Sequence, residues 1–264
     1  MGGRGSRFRQ IIAESTRNKN LNLGDYFKDK ETTKQNKLTK SLKNYNIMVC
    51  ESTDTMNEQL LNSNLQQVEK LSKKYSGLLS KEPEHELHIR NYPMSDNTFA
   101  CYARIDPDLT QSQICYNKKL VKDVEDMNTK IKHQIQVGFS ASAENKTDYV
   151  ITHEFGHYLE RNIIEKRFQK DIRQYVRFKN LGSKEAEKVI NEEADRIYVE
   201  IDKIARTKYN NYQLGVSDYS LQENSKEWFA EVFASAHTNS SYKPPLAKAM
   251  IDFLKKELKS YDVW

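Results

Sequence analysis

The sequence has no apolar run that approaches the roughly 18 residues needed to cross a membrane, so we expect no membrane span. Its first residues, MGGRGSRFRQIIAES, are basic but lack the apolar stretch of a secretory signal, which predicts a cytoplasmic protein. The sequence has no large excess of basic or acidic residues: 42 basic and 37 acidic residues leave a net charge of only +5. Since no basic stripe is present, we expect no nucleic-acid partner.

Cysteine is scarce, and Cys50, Cys101 and Cys115 are odd in number and widely spaced. They predict neither a disulfide framework nor a thiolate zinc knuckle, and a reducing compartment fits them best. The hydrophobic fraction of 37% and the mean hydropathy of −0.85 are low for a globular protein. The aromatic content of 10% is nevertheless too high for a disordered chain, so we expect a folded domain with solvated helices.

The chain divides into an N-terminal arm of uncertain order at 1–50 and a domain at 51–264. Helical periodicity is found in the arm at 38–45 and in the domain at 53–77, 118–134, 147–160, 163–180, 183–207, 225–237 and 245–259. Short runs of strand character, separated by turn residues, predict strands at 85–92, 97–105, 112–118 and 135–141. This order predicts an α+β fold in which a small mixed sheet packs on helices and the C-terminal half is mainly helical.

The stretch VITHEFGHYLE (150–160) carries two histidines four positions apart, with a glutamate directly after the first. On a helix, His153 and His157 lie one turn apart on nearly the same face, so their rings can reach one zinc ion. Glu154 lies about 100° further round the axis, where it can reach a water on the metal without binding the metal itself. The pattern indicates a metal-activated water with a carboxylate general base. The alternative is an ordinary amphipathic helix with two solvent-facing histidines.

A catalytic zinc site needs a third protein ligand, and the sequence offers several sources for it. The third histidine of the metzincin pattern is absent, because positions 160 and 163 are Glu and Ile. The other histidines have no partner signal in the sequence: His85, His88, His133 and His237. Four further acidic residues lie on a predicted helix that is charged throughout, and exposure of that helix to solvent explains their presence without a metal: Glu192, Glu193, Asp195 and Glu200.

The stretch KEWFAEVFA is the stronger source of a third ligand. Its two carboxylates, Glu227 and Glu231, lie one turn apart on a helix that is otherwise mostly apolar. Burial of an unpaired carboxylate is costly, and a metal with its two histidines removes that cost. We therefore predict that Glu227 binds the metal and that Glu231 accepts a hydrogen bond from a ligating histidine. The alternative is two carboxylates at the solvent edge of a packed helix.

HEFGH followed by E-x-F-A-E-x-F resembles the gluzincin metalloproteases, and most closely the catalytic domain of anthrax lethal factor and its relatives. The likeness is close over 147–160 and 217–236. It implies a zincin-like fold, one zinc ion per chain held by the predicted ligands, and hydrolysis of a peptide or protein substrate. It also implies a tyrosine before the third ligand, whose hydroxyl stabilises the tetrahedral intermediate. SDYS supplies Tyr219 for this role, with Tyr212 and Tyr209 as alternatives.

The family holds an extended peptide against an edge strand that lies above the active-site helix. Here the resemblance points to the predicted strand 135–141, where Gly138 and Ser140 would let a peptide backbone approach. The spacing departs from the family, because Glu227 follows His157 by 70 positions. The charged helices at 163–207 would then be an inserted hairpin beside the site.

The expected function is therefore that of a zinc-dependent endopeptidase. The GGRGS start and the composition rich in Lys, Asn and Tyr also resemble metallopeptidase-like proteins of phages and mobile elements. Two alternatives follow: a non-catalytic zincin-fold protein with a structural or interaction role in a phage or mobile element, and a protease toxin or effector delivered by a non-classical route. Nothing in the sequence predicts an oligomeric state.

Overall fold

A computed structural model describes residues 30–34, 36–94, 98–104, 112–170, 178, 180–181, 183–210, 215–222 and 225–261. These residues form an α+β fold with a four-stranded mixed sheet and a mainly helical second half, which confirms the predicted class. The strands are β1 (Ile47–Val49), β2 (Leu87–Tyr92), β3 (Ala100–Arg104) and β4 (Ser112–Asn117). The helices are α1 (Lys37–Lys43), α2 (Glu58–Lys74), α3 (Val124–Gln136), α4 (Tyr149–Lys170), α5 (Ser183–Tyr209), α6 (Asp218–Gln222), α7 (Ser225–Thr238) and α8 (Pro245–Tyr261). Short 3₁₀ helices span Glu51–Thr55, Ser76–Leu78 and Pro83–His85.

The sheet has the strand order β1-β2-β4-β3, in which β1, β2 and β4 are parallel and β3 runs antiparallel to β4. The strands predicted at 85–92, 97–105 and 112–118 are confirmed as β2, β3 and β4. β2 and β4 are buried along nearly their whole length, as expected for the two central strands. β3 lies at an edge of the sheet and packs against helix α4.

The strand predicted at 135–141 is wrong. Helix α3 continues to Gln136 and is followed by a turn rather than by an extended segment. The apolar alternation that suggested a strand includes Val137 and Phe139, whose exposed fractions are 58% and 37%. These side chains therefore do not form the buried face that an alternating pattern normally marks.

Gly138 and Ser140 do not form the predicted peptide-binding edge. Gly138 has a φ of +78°, the left-handed conformation that glycine adopts most readily, and its carbonyl accepts the N–H of Asp218 at 2.8 Å. Ser140 is buried, and its hydroxyl donates to the Gln134 side chain at 3.0 Å. Both residues thus make hydrogen bonds that stabilise the turn.

The domain begins before the boundary predicted at residue 50. Helix α1 and strand β1 belong to the folded unit, because Leu42, Ile47 and Val49 are buried in the core. β1 adds to the sheet by parallel pairing of Ile47 with Leu87. The part of the predicted arm at 1–29 lies outside the described residues.

Helix α4 runs through the centre of the domain and is buried at every position from Tyr149 to Glu165. It continues without a break to Lys170, so the first part of the predicted insertion at 163–207 is an extension of this helix, and α5 supplies the second part. Among the described residues, no helix is both long and apolar enough to cross a membrane. α4 is buried although it carries many polar side chains, a combination that is costly unless those side chains have partners.

Gly156 allows α4 to approach α7 closely. A Cβ at this position would lie 3.1 Å from the Ala230 Cα and 3.2 Å from the Phe233 Cδ1. The close packing of α4 on α7 beneath the two histidines thus explains why Gly156, a poor helix former, occurs in the middle of this helix.

Gly156→Ala is expected to lower the free energy of unfolding by about 1–2 kcal/mol. Alanine improves helix propensity by up to about 1 kcal/mol, but overpacking of a filled interior typically costs about 1–3 kcal/mol. Denaturant unfolding of the metal-free protein measures the difference. A variant as stable as the wild type would show that α4 and α7 can separate without cost.

Candidate metal centre

Two buried helices bring three potential metal ligands together. His153 and His157 come from α4, one turn apart, and Glu227 comes from the first turn of α7, which packs extensively on α4. The two Nε2 atoms are 3.1 Å apart, and the Glu227 Oε2 lies 3.3 Å from that of His153 and 3.5 Å from that of His157. The three residues form a buried group that could hold a metal ion.

The spacing of this triangle fits a small tetrahedral ion. Bonds of about 2.0–2.1 Å in tetrahedral geometry separate neighbouring ligand atoms by about 3.3–3.4 Å. The observed edges of 3.1, 3.3 and 3.5 Å bracket that value. Two imidazole nitrogens and one carboxylate oxygen are also a donor set that suits zinc, with the fourth position left for water.

The electrostatics of the site favour a positive charge at the same point. Burial by itself lowers the pKa of His153, but the hydrogen bonds of Glu227 and Glu231 outweigh burial and raise the pKa to about 10. The charge of Glu154 acts in the same direction. A metal ion competes with the proton for the same nitrogen, so a site that attracts one also attracts the other.

Glu231 holds His153 from the side opposite to the triangle. Its Oε1 lies 2.9 Å from the Nδ1 of His153, so the two residues that the sequence pairs are in contact. The carboxylate also accepts the hydroxyl of Tyr149 at 2.8 Å, the N–H of Ala141 at 3.0 Å and the hydroxyl of Ser217 at 2.6 Å. Burial raises the pKa of Tyr149 well above its usual range, and Glu231 adds to the effect, so this hydroxyl remains a donor. The orientation of the His153 ring is thus fixed by a carboxylate that is itself held by several donors.

Tyr219 lies beside the metal centre, on the short helix α6. Its ring centre is 6.1 Å from that of His153 and 4.9 Å from that of Phe139. Of the two alternatives, Tyr209 donates its hydroxyl to Asp252 and is engaged away from the triangle, whereas Tyr212 lies outside the described residues.

Most of the competing ligands contact other residues. His85 contacts Glu165, and His237 contacts the hydroxyl of Tyr75. His88 contacts Glu86, and Glu193 and Glu200 bind Arg167 in an ion-pair network between helices. None of these described residues joins the triangle.

Three residues at the site were not identified from the sequence: Tyr102, Tyr149 and Ser217. Tyr102 comes from β3, and its ring lies nearly parallel to that of His157 with the ring centres 6.3 Å apart. Tyr149 precedes His153 by four positions, so the helical spacing that paired the histidines also places it on their face. No comparable local signal marks Tyr102, because its position depends on the packing of β3 against α4.

Comparisons with known proteins supply no relative from which a function could be transferred. No protein-family model, no curated protein and no solved structure matches this chain. The residues of the site therefore carry the functional argument by themselves: a buried triangle of two histidines and a glutamate, the buried Glu154 directly after His153 in the chain, and the Tyr219 ring beside that of His153.

Proposed function

We propose that this chain is a zinc-dependent endopeptidase of zincin-like fold, with one zinc ion held by His153, His157 and Glu227. The observation that carries the proposal is the ligand triangle, whose edges of 3.1–3.5 Å match a tetrahedral ion. Glu154 directly follows the first ligand on the same buried helix, where a general base is required. The mixed sheet with its antiparallel edge strand against α4 is compatible with the fold that the motif implies.

The side chains of the site divide the reaction between them. When bound, zinc supplies a Lewis acid that makes a water molecule more acidic and polarises the carbonyl of the scissile peptide bond. Glu154 accepts a proton as the water oxygen bonds to the carbonyl carbon, and it delivers that proton to the leaving nitrogen as the C–N bond breaks. Tyr219 donates a hydrogen bond to the oxygen that becomes negatively charged. Glu231 keeps the His153 ring in the orientation that binding requires.

Strand β3 is the best site for an extended substrate. It pairs with β4 along one edge, and no other strand among the described residues pairs with its second edge. Its Tyr102 lies over His157, so a peptide added to this edge would pass the metal centre. Pairing through main-chain hydrogen bonds suits an endopeptidase, because it does not depend on chain ends. β3 thus takes the role that the sequence assigned to 135–141.

The proposal predicts cleavage of internal peptide bonds that depends on bound metal. The purified chain is expected to contain about one zinc per molecule, in line with the one ligand triangle found among the described residues. Incubation with a peptide library followed by mass spectrometry should reveal new termini, which disappear after removal of zinc by a chelator and return when zinc is added. A zinc-loaded chain that leaves both the library and the proteins of a cell lysate intact would contradict the proposal and favour a non-catalytic role.

A further inference from the structure

Ser217 precedes helix α6 and makes hydrogen bonds in two directions. Its hydroxyl accepts the N–H of Ser220 at 3.1 Å, and the hydroxyl of Ser220 accepts the N–H of Ser217 at 3.2 Å. This reciprocal pair is a capping box, which satisfies the first N–H groups of the helix. The hydroxyl hydrogen of Ser217 is donated to the Oε2 of Glu231 at 2.6 Å. The side chain that caps the helix of Tyr219 is therefore bound to the carboxylate that orients His153.

Helix α6 depends on external contacts for its position. A helix of five residues is too short to be stable by itself in water. Two backbone hydrogen bonds attach it to the turn after α3, from the N–H of Asp218 to Gly138 at 2.8 Å and from the N–H of Tyr219 to Phe139 at 3.2 Å. The hydrogen bond from Ser217 to Glu231 connects this segment to the metal centre, in addition to the contact between the Tyr219 and His153 rings.

We propose that Ser217 is a positioning residue, which links the placement of Tyr219 to the binding of metal through Glu231. At 2.6 Å, the hydrogen bond from the Ser217 hydroxyl to the carboxylate oxygen has the short length of the stronger hydrogen bonds found in proteins. The inference rests on the proposed metal centre, but it does not require that the chain cleaves peptides.

The link operates through the ring of His153. A metal bound at the Nε2 of His153 fixes the ring and therefore the Nδ1 atom, which lies 2.9 Å from the Oε1 of Glu231. A fixed carboxylate in turn gives Ser217 a fixed acceptor, so metal binding holds α6 in its docked position. Coupling of two equilibria is reciprocal, so loss of the Ser217 hydroxyl must also weaken metal binding.

Hydrogen exchange measures this coupling directly, with zinc alone as the probe and the full chain as the sample. The reporters are the amides of Asp218, Tyr219 and Ser220, each of which is hydrogen-bonded in the docked segment. In the wild type, zinc is expected to slow their exchange about fivefold or more, the lower limit of typical coupling between sites. In Ser217→Ala, most of this slowing is lost, and chelator competition shows zinc affinity reduced by up to about tenfold.

Three variants separate the link from ordinary helix capping. Ser217→Thr keeps a hydroxyl and is expected to restore the response to zinc. Ser220→Ala removes the capping partner but leaves the hydrogen bond to Glu231, so exchange becomes faster while the effect of zinc persists. Tyr149→Phe removes a different donor to Glu231, one that lies on α4. It should weaken zinc binding but preserve the slowing of exchange at saturating zinc.

The proposal is overturned if Ser217→Ala retains the full effect of zinc on the three amides. It is also overturned if Ser220→Ala abolishes that effect as completely, because the hydroxyl of Ser217 would then act only as a cap. Either result leaves zinc binding and peptide cleavage in the wild type unaffected, so the proposed function would stand. A chain that binds no zinc would overturn both.

Discussion

Glu227→Gln is expected to lower the affinity for zinc by more than about 100-fold, beyond the 10–100-fold loss typical of residues that only support a ligand. Glu227 supplies the anionic corner of the triangle, with its Oε2 3.3 and 3.5 Å from the two histidine nitrogens. Glutamine has the same shape, but its neutral amide is a poor substitute for a carboxylate at a zinc ion. Chelator competition gives the affinity, and circular dichroism of the metal-free variant verifies that it remains folded.

Two further variants make this result specific to the triangle. Glu160→Gln removes a different buried carboxylate, which lies on α4 and outside the triangle. This variant should bind zinc with an affinity close to that of the wild type. Glu231→Gln should lose about 10–100-fold, because that carboxylate orients His153 without binding the metal. Equal losses in Glu227→Gln and Glu160→Gln would indicate a general effect of buried charge and would contradict the assignment of Glu227.

The three residues of the triangle were predictable from the sequence because local geometry determines most of their arrangement. A helix places residues four apart on one face, so His153 and His157 had to converge once α4 formed. Glu227 was identified by a different signal, a carboxylate on a mostly apolar helix, where burial requires a partner. The structure brings these two helices into contact and thereby places the three ligand atoms within 3.5 Å of one another.

The parts of the fold that the sequence did not reveal depend on contacts between distant segments. Strand β1 has only three residues, and it is a strand because it pairs with β2, about 40 positions later. The segment 135–141 has the alternation of a strand, but the end of α3 and the turn at Gly138 take precedence. Helix α6 has five residues and is defined by its cap and by its docking to that turn. Sequence periodicity cannot report any of these interactions, because each involves residues outside the periodic window.

The error at 135–141 changes the interpretation of the site more than it changes the fold. Carbonyl groups of the turn that replaces the predicted strand accept hydrogen bonds from backbone N–H groups of α6. These bonds help to place Tyr219 beside His153. Gly138, which the sequence analysis assigns to peptide binding, instead supplies the positive φ of +78° in this turn, a conformation that strains other residues. The proposed function therefore assigns peptide binding to β3, and the turn becomes a support for Tyr219.

Glu154→Gln is expected to reduce kcat for peptide cleavage by about 10²–10⁴-fold, the range that a positioned general base contributes. The amide has the size of the carboxylate but cannot accept a proton from water at neutral pH. Because Glu154 is not part of the triangle, zinc affinity should stay close to that of the wild type. The measurement is turnover of a peptide found in the library experiment, with zinc content determined on the same sample.

Glu154→Gln and Glu227→Gln together distinguish the two ways in which the site can fail. One variant should retain zinc and lose turnover, whereas the other should lose both, and added zinc should rescue neither at concentrations that saturate the wild type. If Glu154→Gln cleaves at the wild-type rate, the proton must pass through another group and the assigned role of Glu154 is wrong. If it instead loses zinc as Glu227→Gln does, Glu154 belongs to the ligand set. Only the combination of bound metal and lost turnover identifies a carboxylate that acts on the water rather than on the ion.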